Sequence, residues 1–275
     1  MAKVLCGKEE LIHPINPKEI TMSYNLVSNF LQKLMYVLII MTPVGIIIMM
    51  FPELREKYLW TTNIFLSFQF IALLFYMLLN YTQKSVVITV PVLIVSGYLI
   101  EYIGVKTSFP FGSYIYTETL QPQILQVPLA ISLSWVVVVA GSYMIVSSVK
   151  PFNLFAVVTY SSVLVLAFDL LLEPFASFIN GYWTWTFSFV PIQNYISWFA
   201  VAAVFTMFLA KFLVPRACVE SKSKVVSNTP LILYLISIFQ FSIVNIFNSY
   251  ILPTVSGIIL LIIVLIIIYR RANEV

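Results

Sequence analysis

Histidine occurs once in this chain of 275 residues, at His13. Haem proteins with two histidine ligands, histidine-box di-iron proteins and His-ligated zinc hydrolases all need more such ligands. The sequence therefore excludes these classes and predicts no metal site. Cysteine occurs only as Cys6 and Cys218, which form neither a CxxC pair nor a disulfide framework, so both are expected to be free thiols.

Nucleotide-binding and hydrolase motifs are also absent from the sequence. No P-loop, GxGxxG, HExxH or GxSxG pattern occurs, and no DxxxD pair of the kind that holds Mg²⁺-diphosphate is present. No stretch combines clustered Lys and Arg with interleaved aromatics, so no nucleic-acid partner is expected. We predict a protein that works without a cofactor.

Charged residues make up 9% of the chain and hydrophobic residues 61%, with a mean hydropathy of +0.98. Soluble domains carry about 25% charged residues, and a helix needs about 20 mostly apolar residues to span a bilayer. The composition predicts an all-α, polytopic integral membrane bundle: a single membrane domain over residues 1–275, with a tail at 1–27. Apolar windows predict eight spans near 28–51, 58–80, 86–103, 127–149, 152–173, 194–214, 230–250 and 253–269. A tight turn around Leu252-Pro253 separates the last two.

The basic residues predict the orientation of these spans. An even number of spans places both termini on one side, which then carries twelve basic residues: Lys3, Lys8, Lys18, Lys33, Lys84, Lys150, Lys211, Arg216, Lys222, Lys224, Arg270 and Arg271. The other side carries Arg55, Lys57 and Lys106. Because short cytoplasmic loops are enriched in Lys and Arg, we expect cytoplasmic termini. The loops 104–126 and 174–193 then face outward.

Two segments within residues 97–199 match each other. In each, an acid precedes a glycine, two aromatics spaced by two, a Val-Pro and a tryptophan. The first copy has Glu101, Gly112, Tyr114, Tyr116, Val127-Pro128 and Trp135, and the second has Asp169, Gly181, Trp183, Trp185, Val190-Pro191 and Trp198. We interpret them as two helix-loop-helix repeats. Since both acid-bearing spans run outward, the repeats are expected to be parallel, related by an axis along the membrane normal.

Three acids of these repeats lie within predicted spans. Asp169 and Glu173 are four residues apart and project from one face of a helix, and Glu101 occupies the first copy. Ionisable groups at such depth usually face a cavity and mark a functional site. The alternative is that Glu173-Pro174 lies at the interface and is simply solvated.

The aromatics have two possible roles. Trp and Tyr are enriched at membrane interfaces for reasons unrelated to catalysis, yet ring faces also stabilise a nearby cation. A carboxyl group removed from water tends to keep its proton and can donate it. Acids with aromatic walls would therefore suit carbocation formation from an isoprenoid alkene. In the seventh span, Gln240, Asn245 and Asn248 are expected to hydrogen-bond across helices or to hold a water.

The two blocks resemble membrane carotenoid 1,2-hydratases of the CruF type, which are related to membrane lycopene cyclases. The first block is Glu101-Tyr-Ile-Gly-Val-Lys-Thr-Ser-Phe-Pro-Phe-Gly-Ser-Tyr-Ile-Tyr116 with Val127-Pro128 and Trp135. The second is Asp169-Leu-Leu-Leu-Glu173-Pro-Phe-Ala176, then Trp183-Thr-Trp185 and Val190-Pro-Ile-Gln-Asn194-Tyr-Ile-Ser-Trp198. Ser108, Glu173 and Ser197 depart from the family pattern, which has glycine, aspartate and glycine there.

The resemblance implies a carotenoid biosynthesis enzyme, a hydro-lyase that adds water across the terminal C1–C2 double bond of an acyclic carotenoid end. Its partners would be this carotenoid, water and the lipid bilayer. The implied catalytic residues are Glu101, Asp169 and Glu173. The implied substrate-binding residues are Tyr114, Tyr116, Trp135, Trp183, Trp185, Asn194 and Trp198.

Other functions fit parts of the pattern. The related lycopene cyclases carry acids directly after the helix-opening proline, where this chain has Leu129-Ala130 and Ile192-Gln193, so water capture is favoured over ring closure. A small lipid or solute transporter would also have parallel repeats and intramembrane acids. A structural membrane protein would leave the acids unexplained.

Overall fold

The computed structural model describes residues 17–148, 153–216 and 223–273. These residues form ten helices: α1 Pro17–Met50, α2 Pro52–Tyr58, α3 Thr61–Asn80, α4 Gln83–Thr107, α5 Leu129–Ser147, α6 Leu154–Glu173, α7 Ile192–Phe212, α8 Lys224–Ser227, α9 Thr229–Phe247 and α10 Ile251–Asn273. Four short strands lie between them: β1 Tyr114–Tyr116, β2 Gln123–Ile124, β3 Val127–Pro128 and β4 Trp183–Trp185. The predicted all-α membrane bundle is confirmed.

Seven of the predicted spans are helices long and apolar enough to cross a membrane, and the chain is therefore a membrane protein. The eighth span is helix α10, whose apolar section Ile251–Ile267 is shorter than the other seven. The predicted turn at Leu252-Pro253 is misplaced. The chain turns at 248–250, where Ser249 has a φ of 68°, and Pro253 lies in the first turn of α10, where a proline costs no intrahelical hydrogen bond.

The predicted N-terminal tail differs from the structure at one boundary. Helix α1 already begins at Pro17, so the tail predicted over 1–27 is helical in its last part. Residues 1–16 lie outside the described residues, as do Lys150 and Lys222.

Helix α5 lies at the centre of the bundle. Of its most apolar window 72% is buried, against at most 56% in the other spans, and it packs against α3, α4, α6, α7 and α9. A helix that is apolar all round is expected to be buried on all sides. The consecutive small residues Ala140, Gly141 and Ser142, all buried, allow the neighbouring helices to approach closely.

The ends of the bundle are identified by contacts between distant connections. At one end, the Tyr182 hydroxyl lies 2.8 Å from that of Thr62, and Asn63 donates to the carbonyl of Gln121. At the other end, the Thr82 amide donates to Val214. We call the first the loop end, because it carries the long connections after α4 and α6.

The predicted topology can be tested by cysteine labelling. In a background with Cys6 and Cys218 replaced by serine, we expect Glu118→Cys to react with a membrane-impermeant maleimide on intact cells. Lys224→Cys should react only after permeabilisation, because the positive-inside rule predicts a cytoplasmic location for this end. Labelling of both positions on the same side of the membrane would overturn the span map.

Candidate active site

Strands β1 and β4, one from each predicted repeat, pair antiparallel at the loop end. Ile115 lies opposite Thr184 at the centre of the pair, flanked by Tyr114 opposite Trp185 and Tyr116 opposite Trp183. A twofold axis through the central pair superposes Tyr114 on Trp183 and Tyr116 on Trp185. This correspondence matches the alignment of the two sequence blocks, and the two predicted repeats pair through these strands.

Glu101 lies in α4 and is 4% exposed. Its Oε2 accepts hydrogen bonds from the hydroxyls of Tyr114 at 2.6 Å and Tyr116 at 2.8 Å. Its Oε1 accepts one from the indole nitrogen of Trp135 at 2.9 Å. The alternation of side chains along a strand explains why residues 114 and 116 point the same way. Three donors therefore hold this carboxyl group in one orientation.

Tyr114 and Tyr116 belong to strand β1, which is not part of a membrane-spanning helix. Burial, followed by the charge of Glu101, raises the pKa of Tyr114 and of Tyr116 above the ordinary value. Both hydroxyls therefore keep their protons at neutral pH. They remain available as donors to the carboxyl group.

Glu173, at the end of α6, occupies the corresponding place in the second repeat. Its Oε2 accepts from the indole nitrogens of Trp183 at 3.3 Å and Trp185 at 3.0 Å. Sequence spacing pairs Glu101 with Asp169, whereas hydrogen bonding pairs Glu101 with Glu173. Helix α6 continues into a π-helical segment, Pro174–Ile179, so the helical part extends beyond Glu173 as α4 extends beyond Glu101.

Asp169 is fully buried one turn before Glu173. The side-chain nitrogen of Asn194 lies 3.0 Å both from Asp169 Oδ2 and from Glu173 Oε1, and donates to each. Asp169 Oδ1 has no hydrogen-bond partner in the described part of the chain. Asn194 thus joins the two carboxyl groups of α6.

A cavity of about 270 Å³ lies in the bundle beside these groups. Small-molecule sites typically have volumes of about 300–1,000 Å³, so the cavity suits one end of a long ligand. Its aromatic wall includes a pair of stacked indoles, Trp135 and Trp198, whose centroids are 4.2 Å apart. The lining contains nine of the ten predicted site residues: Glu101, Tyr114, Tyr116, Trp135, Glu173, Trp183, Trp185, Asn194 and Trp198.

Asp169 is the predicted site residue that does not line the cavity. It contacts the site through Asn194 and lies behind that side chain.

The predicted alternative of a solvated Glu173 is wrong, because this side chain is 1% exposed. Glu118, in contrast, is exposed.

The sequence also left parts of the site unpredicted. The pairing of β1 with β4 could have been inferred, because Tyr-Ile-Tyr and Trp-Thr-Trp both alternate as strands do. The contributions of Phe111, Gln69 and Ser237 to the lining had no local signal. Within the described ranges, no group of three or more His, Cys, Asp or Glu residues could hold a metal ion.

A glycine beneath the Glu101 cluster offers a test of this geometry. A Cβ at Gly104 would lie 2.8 Å from the Tyr114 hydroxyl and 3.0 Å from the Phe111 ring. We expect Gly104→Ala to displace Tyr114 from Glu101 and to lower the activity of the folded protein. The matched control is Gly141→Ala in α5, where a Cβ meets no atom within 4 Å and helix propensity favours alanine by about 0.5–1 kcal/mol. Equal activity of both variants would contradict a functional role for the hydrogen bond from Tyr114 to Glu101.

These features define a helical membrane protein with a carboxyl-aromatic cavity inside the bundle. The profile of the carotenoid biosynthesis protein family matches residues 61–264, which include all ten predicted site residues. The chain belongs to this family.

Among curated proteins, the chain is similar to a bisanhydrobacterioruberin hydratase of Haloarcula japonica, with 30% identity over 117 residues. The match spans 39% of this chain and 39% of the relative. No solved structure matches the chain.

Proposed function

We propose that this protein is a carotenoid 1,2-hydratase, which adds water to the terminal C1–C2 double bond of an acyclic carotenoid end. One observation carries the proposal: two buried carboxyl groups, Glu101 of α4 and Glu173 of α6, line one aromatic cavity beside the paired strands β1 and β4. The hydratase activity in the name of the Haloarcula japonica relative supports the same reaction class. Hydration moves no electrons, so the reaction needs no redox cofactor.

The hydrogen-bond partners suggest different roles for the two acids. Tyrosine hydroxyls both donate and accept, whereas indole and amide N–H groups only donate. Glu101, with two hydroxyl partners, can carry a proton, release it and be reprotonated. Glu173 accepts three hydrogen bonds from N–H groups, which favour its ionised form. We therefore assign Glu101 as the acid and Glu173 as the base.

The proposed reaction is balanced in atoms and charge. Glu101 transfers its proton to C2, the double bond opens and a tertiary cation forms at C1. Water then attacks C1, and Glu173 takes the proton that this water loses. Return of that proton to Glu101 closes the cycle, and the product gains one water as a tertiary alcohol.

The aromatic walls would stabilise the cation between these steps. A cation within about 6 Å of a ring face gains about 0.5–2 kcal/mol. The stacked pair of Trp135 and Trp198 and the strand aromatics supply such faces on several sides of the cavity. Water capture is favoured over ring closure because the positions after the helix-opening prolines carry no acid.

We propose that Asp169 is a positioning residue. It does not line the cavity, and its hydrogen bond to Asn194 orients the amide that also holds Glu173. Asp169→Asn is therefore expected to affect the reaction through the orientation of Glu173.

The proposed function can be tested by expression in a host that produces an acyclic carotenoid. Mass analysis of the pigments should show products that have gained one water per modified end. Products of unchanged mass with a ring at the end would indicate a cyclase instead. Unaltered pigment from correctly folded protein would contradict both activities.

A further inference from the structure

The cavity has a second polar region on helices different from those that carry the acids. Gln69 of α3 and Ser237 and Gln240 of α9 line it and are 4%, 3% and 7% exposed. We call these three residues the amide patch. Glu101 lies on α4 and Glu173 on α6, and the central helix α5 packs against all four of these helices. Apolar lining residues, among them Phe168 and Phe241, share the cavity with both polar regions.

The hydrogen-bonding capacity of the amide patch is largely unused. Gln69 donates to the Ser237 hydroxyl at 2.9 Å, and Ser237 donates to the carbonyl of Leu233 at 3.1 Å. The carbonyl oxygen of Gln69 and the whole amide of Gln240 have no hydrogen-bond partner among the described residues. A buried amide without a partner costs about 1–3 kcal/mol.

One comparison and one close contact support a ligand at the amide patch. Asn245, on the same helix α9, donates across the interface to the carbonyl of Leu171 at 2.8 Å, so it acts as the interhelical contact expected from the sequence. Gln240 makes no such contact. Instead, Gly45 of α1 leaves room for it, since a Cβ there would lie 3.3 Å from the Gln240 side-chain nitrogen.

We propose that the amide patch binds a neutral oxygen atom, a hydroxyl or a carbonyl, carried by the substrate itself. The carotenoid that fits the whole cavity is then an acyclic one that already bears an oxygen substituent near the end to be modified. This inference rests on the proposed function only for the identity of the ligand as a carotenoid. An amide can both donate to and accept from such an oxygen, and an apolar hydrocarbon would leave it unpaired.

The test measures binding separately from turnover. Trp135, Trp183, Trp185 and Trp198 line the cavity, so quenching of tryptophan fluorescence reports a bound polyene. The purified protein is titrated with an acyclic carotenoid hydrocarbon and with the same chain carrying a hydroxyl or keto group near one end. We expect the oxygenated ligand to bind more tightly by about threefold to tenfold, the range that one net hydrogen bond gives.

Two variants and a control identify the residues responsible. Gln240→Met should remove the preference by weakening only the oxygenated ligand, and Gln69→Met should do the same where the first variant does not fold. The control is Gln32→Met, a glutamine of α1 that bonds Tyr36 and does not line the cavity. Equal affinity of the wild-type protein for both ligands would overturn the proposal.

These variants also distinguish a substrate oxygen at the amide patch from a bound water. If Gln240→Met lowers kcat for both carotenoids equally and leaves both Kd values unchanged, the patch holds a water and the substrate-oxygen assignment is wrong. Because the binding titration needs no turnover, preferential binding without hydration would contradict the proposed function and leave the amide patch assignment intact.

Discussion

Glu101→Gln is expected to lower the hydration rate by about 10²–10⁴, the contribution that general acid catalysis usually makes. The amide has nearly the same shape, and its oxygen can still accept from Tyr114 and Tyr116, but the NH₂ group that replaces Oε1 cannot accept from the indole nitrogen of Trp135. It has no acidic proton to transfer to C2, so the cation at C1 does not form. The rate is measured on purified protein in detergent, with the product quantified by mass spectrometry.

The control for this variant is Glu118→Gln. Glu118 is an exposed acid in the connection after α4, bonded only to the nearby Gln121 side chain among the described residues, and its variant should retain the full rate. Glu118→Gln should unfold at the temperature of the wild type, and Glu101→Gln should lose no more than the about 1–3 kcal/mol that the unpaired Trp135 N–H costs. Full activity of Glu101→Gln would remove this residue as the acid.

Glu173→Gln is expected to lower the rate by a similar factor but to block a later step. Without a base at this position, Glu101 still protonates C2, and the cation formed at C1 returns to alkene by losing a proton. In D₂O, substrate recovered from Glu173→Gln should therefore contain deuterium while little alcohol forms. Substrate recovered from Glu101→Gln should contain no deuterium.

Asp169→Asn provides the matched comparison for the Glu173 variant. Both acids lie on α6 and both are bonded to Asn194, but only Glu173 lines the cavity. We expect a smaller loss of rate from Asp169→Asn than from Glu173→Gln. The reverse pattern of deuterium, with exchange in Glu101→Gln and none in Glu173→Gln, would exchange the two proposed roles.

Long apolar runs made the spans predictable from the sequence, because each run is bounded by charges, prolines or glycines. The boundary that failed was the turn before α10. A proline at position 253 reads as a turn, but it also fits the first turn of a helix, and the backbone of Ser249 turns the chain instead. Local sequence could not distinguish these two positions.

Most site residues were predictable because the sequence repeats them, and their grouping follows from the pairing of β1 with β4. The sequence could not predict that Glu173 lines the cavity and Asp169 does not. This difference depends on the π-helical segment Pro174–Ile179, which extends the helix past Glu173 and leaves fewer residues between Glu173 and β4 than between Glu101 and β1. The amide patch depends on contacts among α1, α3 and α9, which no sequence spacing reveals.

The central claim is that the new hydroxyl oxygen comes from water, and isotope labelling tests it most directly. Purified protein is incubated with an acyclic carotenoid in ¹⁸O-labelled water, with and without chelator and under anaerobic conditions. We predict label in the tertiary hydroxyl of the product, undiminished by chelator or by removal of oxygen. A hydroxyl that takes its oxygen from O₂, or a reaction that stops under anaerobic conditions, would contradict it.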